Sequence, residues 1–394
     1  MDAMQATIPA LHLFIYNKQK KSMKKLAKKL AAFALLFVAF GFAACEEELI
    51  EGEPILTTST DMILANGEEA LTLKVTVNGK DVTQNAKFFM NNMLHKGNTF
   101  TTSAPGNYTF YAEYNNQQTN VITVKAVDTR LYAELPADSN PNQFDNFAHK
   151  VLFTQGTGTW CGYCPYMIRA IELFREEQAN ADKVVVVASH SGDNLSCKAS
   201  EAVVKQCRIT NFPTSAFNLN YESQVANSDP SLNAVNINSK ASMELKEEAR
   251  VGIAAVSKIA GSKASVHAAV KVGVSGAYRI NAWLVENGVT DVQSNYTALY
   301  DGQSSVIIEH DFVLRDASNT TPIFGELLGG KEECAAGETL EFYHEFDSKN
   351  AGVSNLSNCK IVVLVSAHLE GSTRFAVNNV IELSVGESVG FSYK

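Results

Sequence analysis

Two cysteines set two residues apart, Cys161 and Cys164, are the residues in this chain best suited to chemistry; they lie in Thr159-Trp160-Cys161-Gly162-Tyr163-Cys164-Pro165. A thiolate at Cys161 can attack a disulfide, and Cys164, one helical turn on, can attack the resulting mixed disulfide and release the substrate. The elements that must position them are legible on either side. Lys150-Val151-Leu152-Phe153-Thr154 has strand character, and residues 166–181 read as a helix with Ile168, Ile171, Leu173 and Phe174 on its apolar face. A strand that hands over to a helix here puts Cys161 at the helix N-terminus. There, unpaired N–H groups and the positive end of the dipole favour an anion. Thiols in such places have pKa values lowered to about 3.5–7.5. The chemistry also requires that the Cys161 sulfur be open to water.

Other chemistries fit less well. A zinc site needs about four ligands, commonly a second C-x-x-C or an H-x₃₋₅-H. The eight histidines are scattered, so no metal is expected. An inert structural disulfide stays open as a reading. Gly156-Thr157-Gly158 does not complete a G-x-G-x-x-G, because Cys161 takes the last position.

With 394 residues the chain has room for two to four domains. A lysine-rich stretch (Lys18, Lys20, Lys21, Lys24, Lys25, Lys28, Lys29) precedes a 15-residue apolar run over residues 30–44. That run is too short for a membrane-spanning helix of about 20 residues, and residues 1–44 read as a secretory signal peptide. Met23-Lys24-Lys25 would be a more usual start than Met1. Without residues 1–44 the chain loses seven lysines and one aspartate, leaving 26 basic against 41 acidic residues, a net charge of −15. Such a surface excludes nucleic acid as a partner and gives no attraction to an anionic membrane.

Residues 45–56 form a tether. From 57 to 128 the pattern is all-β: Leu71-Thr72-Leu73-Lys74-Val75-Thr76-Val77 alternates, and Asn78-Gly79 marks a hairpin turn. About seven short strands predict a small sandwich. Residues 129–142 read as a linker. The α/β part, 143–249, contains the apolar run Lys183-Val184-Val185-Val186-Val187-Ala188-Ser189, typical of a strand buried on both faces. It also contains a short helix at 200–207, Asn211-Phe212-Pro213-Thr214, and a closing helix at 233–249. Residues 250–394 return to β and predict a second sandwich.

Several of these stretches resemble known families. Phe42-Ala43-Ala44-Cys45 resembles a bacterial lipobox, which implies lipidation of Cys45 and membrane attachment through the lipid. Glu46-Glu47-Glu48 resembles the export tag of surface-exposed lipoproteins, so the expected location is the cell envelope, at the outer membrane or cell surface. Pro105-Gly106-Asn107-Tyr108-Thr109-Phe110-Tyr111-Ala112 is similar to bacterial immunoglobulin-like domains. Trp160-Cys161-Gly162-Tyr163-Cys164 after a strand, with Pro213-Thr214 about 50 residues on, resembles the thioredoxin superfamily. That resemblance implies a cis-proline at Pro213 facing the sulfurs, with the adjacent backbone resting an extended substrate. Cys-Gly-Tyr-Cys is nearer to periplasmic disulfide isomerases of the Dsb type, which implies a more oxidising pair. The run from Phe153 to Pro165, followed by a β-rich tail, looks like the family of exported lipoproteins named after a twenty-eight kilodalton outer-membrane protein. One departure stands out: thioredoxins carry a buried aspartate six residues before the first cysteine, and here that position is Gln155.

Four further cysteines remain. In an oxidising compartment an even number suggests two bridges, Cys197–Cys207 and Cys334–Cys359, the first requiring Cys197 to fold back onto its helix. An alternative makes Cys197/Cys207 a second redox pair. His190, at the carboxyl edge of its strand, could tune the thiolate or serve a Cys/His hydrolase, though no orienting acid is evident.

The expected architecture is therefore multidomain, with a thioredoxin-like α/β centre between an immunoglobulin-like sandwich and a C-terminal sandwich. The expected function is thiol–disulfide exchange on exported proteins, with a redox-active disulfide and no other cofactor, and with a membrane redox partner. Cys161 would attack, Cys164 resolve, Phe212 and Pro213 seat the substrate, and Trp160, Gly162 and Tyr163 shape the surface. The competing expectation is a surface binding or adhesion lipoprotein whose C-x-x-C is structural or vestigial.

Overall fold

A computed structural model of the protein describes residues 50–220, 223–225 and 227–394. The signal peptide, the acidic tag and Cys45 lie outside the described residues. The described chain forms two compact units, and everything from Val124 to Lys394 lies in the second.

Between residues 54 and 127 the backbone forms short strands in two sheets. One joins Pro54–Thr58, Leu71–Val77 and Lys80–Asp81, with Thr99–Phe100 on its side; the other runs Met62–Leu64, Ile122–Val127, Gly106–Tyr114, Lys87–Met90, Met93–His95. The alternation read at 71–77 has its physical counterpart in burial: Leu71, Leu73, Val75 and Val77 are buried while Thr72 and Lys74 are exposed.

The second unit is organised by a nine-stranded sheet. Its elements are β1 (Val151–Thr157), α1 (Cys164–Glu177), β2 (Val184–His190), α2 (Lys198–Gln206), β3 (Thr214–Phe217), β4 (Ser223–Val225), α3 (Pro230–Glu244), β5 (Val251–Ala260), β6 (Lys263–Val272), β7 (Tyr278–Glu286), β8 (Val289–Ser294), β9 (Ser305–His310), β10 (Val313–Ala317), β11 (Thr339–Asp347), β12 (Cys359–His368), β13 (Phe375–Ser384) and β14 (Ser388–Val389). The large sheet runs β4-β3-β1-β2-β10-β7-β12-β13, with the short strand Glu326–Leu327 on β7; a second sheet runs β11-β6-β5-β14; β8 and β9 form a separate hairpin. β1 and β2 are parallel and buried along their whole length, as the valine run predicts, while β3 lies antiparallel to β1.

This sheet does not stop at residue 249, where the sequence predicts a domain boundary. β10 pairs in parallel with β2 at Ala188↔Val313 and antiparallel with β7, so strands from the C-terminal region extend the α/β sheet. One face carries α2 over a core that mixes both regions: Leu152, Val185 and Val187 with Trp283, Leu314, Val362 and Leu364. On the other face α1 and α3 cover Val151, Phe153, Val184 and Val186. There too the β5/β6/β11 sheet packs on β7, β12 and β13 through Val266, Val270, Ile280, Ile361 and Val363. The closing helix also sits earlier than predicted, at Pro230–Glu244. Asp229 caps it by accepting the Ser231 and Leu232 N–H groups, and Pro230 opens it.

The predicted linker is packed rather than free. Leu131 is buried, and the buried Lys271 ammonium donates to Asp138 Oδ2 at 2.7 Å and to the Asn140 carbonyl at 2.8 Å.

Trp283 is fully buried in the mixed core. Trp283→Ala should cost about 3–5 kcal/mol of stability. It leaves Trp160 as the one tryptophan of the two in the chain, so Trp160 fluorescence then reports on the α/β half. The urea midpoint read at Trp160 is expected to fall with the mutation; an unchanged midpoint would mean the two halves of the sheet unfold independently.

Candidate functional site

β1 delivers the chain to the cysteine pair at the carboxyl edge of the sheet. Cys161 and Cys164 are joined in a disulfide with their Cα atoms 5.4 Å apart. The helix begins later than the pattern predicts: α1 starts at Cys164 with Tyr163 as its N-cap and a proline in its first turn. Cys161 thus lies in the turn ahead of the helix. Its N–H donates to the Gly158 carbonyl (2.9 Å) and its carbonyl accepts the Cys164 N–H (3.2 Å). Nor is Cys161 open: it is 4% exposed and Cys164 is fully buried. Trp160 and Tyr163, by contrast, are 49% and 56% exposed and flank the pair.

Two neighbours hold this turn. On one side Trp160 donates from Nε1 to the Ser191 carbonyl (2.8 Å), and its ring meets Phe212 edge-on at 5.4 Å. The Phe212–Pro213 peptide is cis, and Thr214 directly after it pairs with Gly156 of β1. On the other side lies a segment that sequence reasoning missed, residues 293–296 at the end of β8. Ser294 N–H donates to the Thr159 carbonyl (2.8 Å) and Tyr296 N–H to the Gly162 carbonyl (2.7 Å). Gln293 Nε2 donates to the Cys161 carbonyl at 2.9 Å. The Tyr296 ring lies so close over Gly162 that any Cβ there would collide with it. This gives the glycine between the cysteines a packing reason. The signal available in the sequence was only an Asn287-Gly288 turn followed by alternating residues, which says nothing about what the hairpin touches.

Below the pair the sheet is polar. Gln155 and Thr157 on β1 and His190 on β2 share the α1 face and are all buried. Among the described residues, Gln155 Nε2, Thr157 Oγ1 and His310 Nε2 find no hydrogen-bond partner. His190 Nδ1 lies 2.7 Å from Asp193 Oδ2, and the same oxygen accepts the Thr159 N–H at 2.8 Å. Burial alone would raise the Asp193 pKa. The His190 hydrogen bond and charge, the Thr159 N–H and the Ser196 hydroxyl instead bring it down to about 2. His310 stacks edge-on against His190 at 5.2 Å; burial, then the neighbouring His190, push its pKa down to about 4. His190 therefore has the orienting acid the sequence did not reveal, and that acid is tied to the cysteine turn by a backbone hydrogen bond.

The two bridges expected from the remaining cysteines do not form: Cys197, Cys207, Cys334 and Cys359 carry free thiols. Cys197 and Cys207 are the N-cap and C-cap of α2, at opposite ends of nine helical residues, roughly 15 Å apart along the axis. Cys197 Sγ accepts the Ser200 N–H and donates to the Leu314 carbonyl. Cys334 pairs opposite Gly276 and Cys359 opposite Glu286, ten residues apart along the β7 direction, or roughly 30 Å. Burial pushes the Cys207 and Cys359 thiols up to about 12, which also removes Cys197/Cys207 as a second redox pair. No group of three or more His, Cys, Asp or Glu among the described residues is placed to hold a metal ion. No helix among them is long and apolar enough to cross a membrane.

Comparison with known proteins matches part of the chain to a family. Residues 200–389 match the model of the family described as outer membrane protein Omp28. The protein is accordingly one of the cell envelope, at the outer membrane. The matched stretch begins inside α2, after the cysteine pair, and takes in Phe212, Pro213 and residues 293–296. Among solved structures the chain is similar to HBP35 of Porphyromonas gingivalis, with 18% identity over 61% of this chain and 76% of that one, TM-score 0.47. It is also similar to a domain of the outer membrane lipoprotein Omp28 from the same organism, with 18% identity over 35% of this chain and 89% of that one, TM-score 0.22. No curated protein matches.

The Asp193 network makes a pH-dependent contribution to stability. A carboxyl near 2 in the fold and about 3.9 unfolded stabilises fully above about pH 4, and loses its contribution as pH falls through about 2, on the order of 1–2 kcal/mol. The stability gap between wild type and Asp193→Asn in urea melts should be full at pH 6 and close between pH 4 and 2. A gap that persists at pH 2 would mean the network acts by packing alone.

Proposed function

We propose that this is a thioredoxin-like thiol–disulfide oxidoreductase of the cell envelope, anchored through lipid on Cys45 and acting on exported proteins. In this reading residues 57–128 are an immunoglobulin-like spacer, residues 143–249 supply the catalytic core, and residues 250–394 complete its sheet. The observation that carries the reading is the placement of the Cys161–Cys164 disulfide. It stands at the carboxyl end of β1, where β1 enters α1, with the Phe212-Pro213 turn against Trp160 and strand order β2-β1-β3-β4 beneath.

In the oxidised state a substrate thiolate attacks Cys161 Sγ; the Cys161–Cys164 bond breaks and Cys164 leaves as a thiolate. A second substrate thiolate then attacks the mixed disulfide, so the substrate leaves oxidised by two electrons and the pair is left reduced. The reverse direction starts from Cys161 thiolate attack on a substrate disulfide and ends with Cys164 re-forming the bond. A membrane redox partner of either sense would reset the pair. Gln155 cannot ionise, so it cannot carry the proton that leaves or returns to Cys164.

One observation runs against the exchange expected of an open sulfur and favours the competing reading of a binding or adhesion lipoprotein: both cysteines are buried, Cys161 to 4% exposure. The two separate cleanly. Cys161→Ser should abolish insulin reduction and repair of scrambled ribonuclease, and Cys164→Ser should accumulate mixed disulfides with exported proteins, visible on non-reducing gels. Wild-type protein that shows neither activity, with a pair that resists glutathione buffers, would support the binding module instead.

A further inference from the structure

The aromatic surroundings of the buried disulfide are unusual in their origin. Trp160 and Tyr163 come from the cysteine turn and Phe212 from the approach to β3, but Tyr296 comes from the far end of the β8–β9 hairpin. Tyr296 is 67% exposed, meets Tyr163 edge-on at 5.8 Å, and covers Gly162. It is also fixed. Asn295, buried, donates from Nδ2 to the Leu299 and Gln303 carbonyls, and its N–H donates to the Ser304 carbonyl. With the bonds from Ser294 and Tyr296 to the cysteine turn, the 293–304 loop is a rigid wall rather than a swinging lid. On the hairpin itself Val292 and Ile307 face each other across the strands at 49% and 72% exposure, on the side opposite Gln293.

Exposed aromatic and aliphatic surface of this kind marks an interaction site. What can reach the buried Cys161 between such walls is a slim, extended segment whose flanking side chains settle on the rim. A small acidic thiol gains nothing there, and the net negative charge of the chain works against its approach. We propose that Tyr296 is a specificity-determining residue. Together with Trp160, Tyr163 and Phe212 it selects cysteines in extended, apolar segments of unfolded exported proteins over glutathione-like small thiols. The inference rests on the exchange activity proposed above and names its substrate class.

The test uses the full chain in its disulfide form. Opening of the Cys161–Cys164 bond is followed by the change in tryptophan fluorescence that Trp160 beside the pair produces, under three reduced thiols: glutathione, a capped Leu-Cys-Leu peptide and a capped Asp-Cys-Asp peptide, compared at equal thiolate concentration. Wild type should prefer Leu-Cys-Leu to both acidic thiols. Tyr296→Ala should reduce that preference by about tenfold or more, and Tyr296→Phe should keep it. A purely structural role for Tyr296 would shift all three rates together, and that result overturns the inference, as does a wild type indifferent to the peptides. If no thiol opens the wild-type pair, the exchange activity itself is absent, and the inference fails with it.

Discussion

The fold depends on a short strand lying between two others. β10 pairs with β2 on one side and β7 on the other, and the Ala188 N–H donates to the Phe312 carbonyl at 2.7 Å. Phe312 makes the corner into β10 with a φ of 62°, a conformation costly for a bulky residue. It is held there by Asn287 Oδ1, which accepts its N–H, and by Arg175 of α1 over its ring at 5.1 Å. The cysteine turn thus hangs from a sheet whose centre belongs to the C-terminal region. The hairpin β8–β9, which leads straight into that corner, is brought to the sulfurs by the same join.

Around the disulfide, polarity is divided in a way that matters for its chemistry. The outward rim is aromatic, while the sheet face below carries Gln155, Thr157 and His190, with His310 of β9 packed against His190. Six residues before Cys161, β1 presents an amide, Gln155, rather than an acid. The ionised carboxylate is instead Asp193, whose charge is absorbed by His190 and by the backbone of the cysteine turn. Its place in the arrangement is to fix the turn, through a charge-assisted hydrogen bond from the Thr159 N–H.

Local pattern was enough to find β1, β2 and the dithiol between β1 and α1, because apolar runs and turn residues act through neighbours in sequence. The join at β10 was not legible, since strand pairing across more than 120 residues leaves no periodic mark. Residues 250–394 accordingly read as a separate sandwich. The cysteine pairing failed for a related reason. Nearness in sequence placed Cys334 beside Cys359, but the register along β7 puts them at opposite ends. The spacing of Cys197 and Cys207 fits a helix with a thiol at each cap better than a bridge. Tyr296 sat in a stretch with no distinguishing composition, and its role exists only in the contact with Gly162.

The four unpaired thiols bear on how such a chain matures. Burial encloses the Cys207 and Cys359 thiols and pushes their pKa values up, so the folded protein shields them from oxidants. Before folding, every cysteine is an ordinary thiol in a compartment that makes disulfides. Safe arrival therefore rests on timing: β12 and α2 must be enclosed before their sulfurs meet one another, and the race between burial and oxidation decides how much of the exported chain ends with its single bond in the right place.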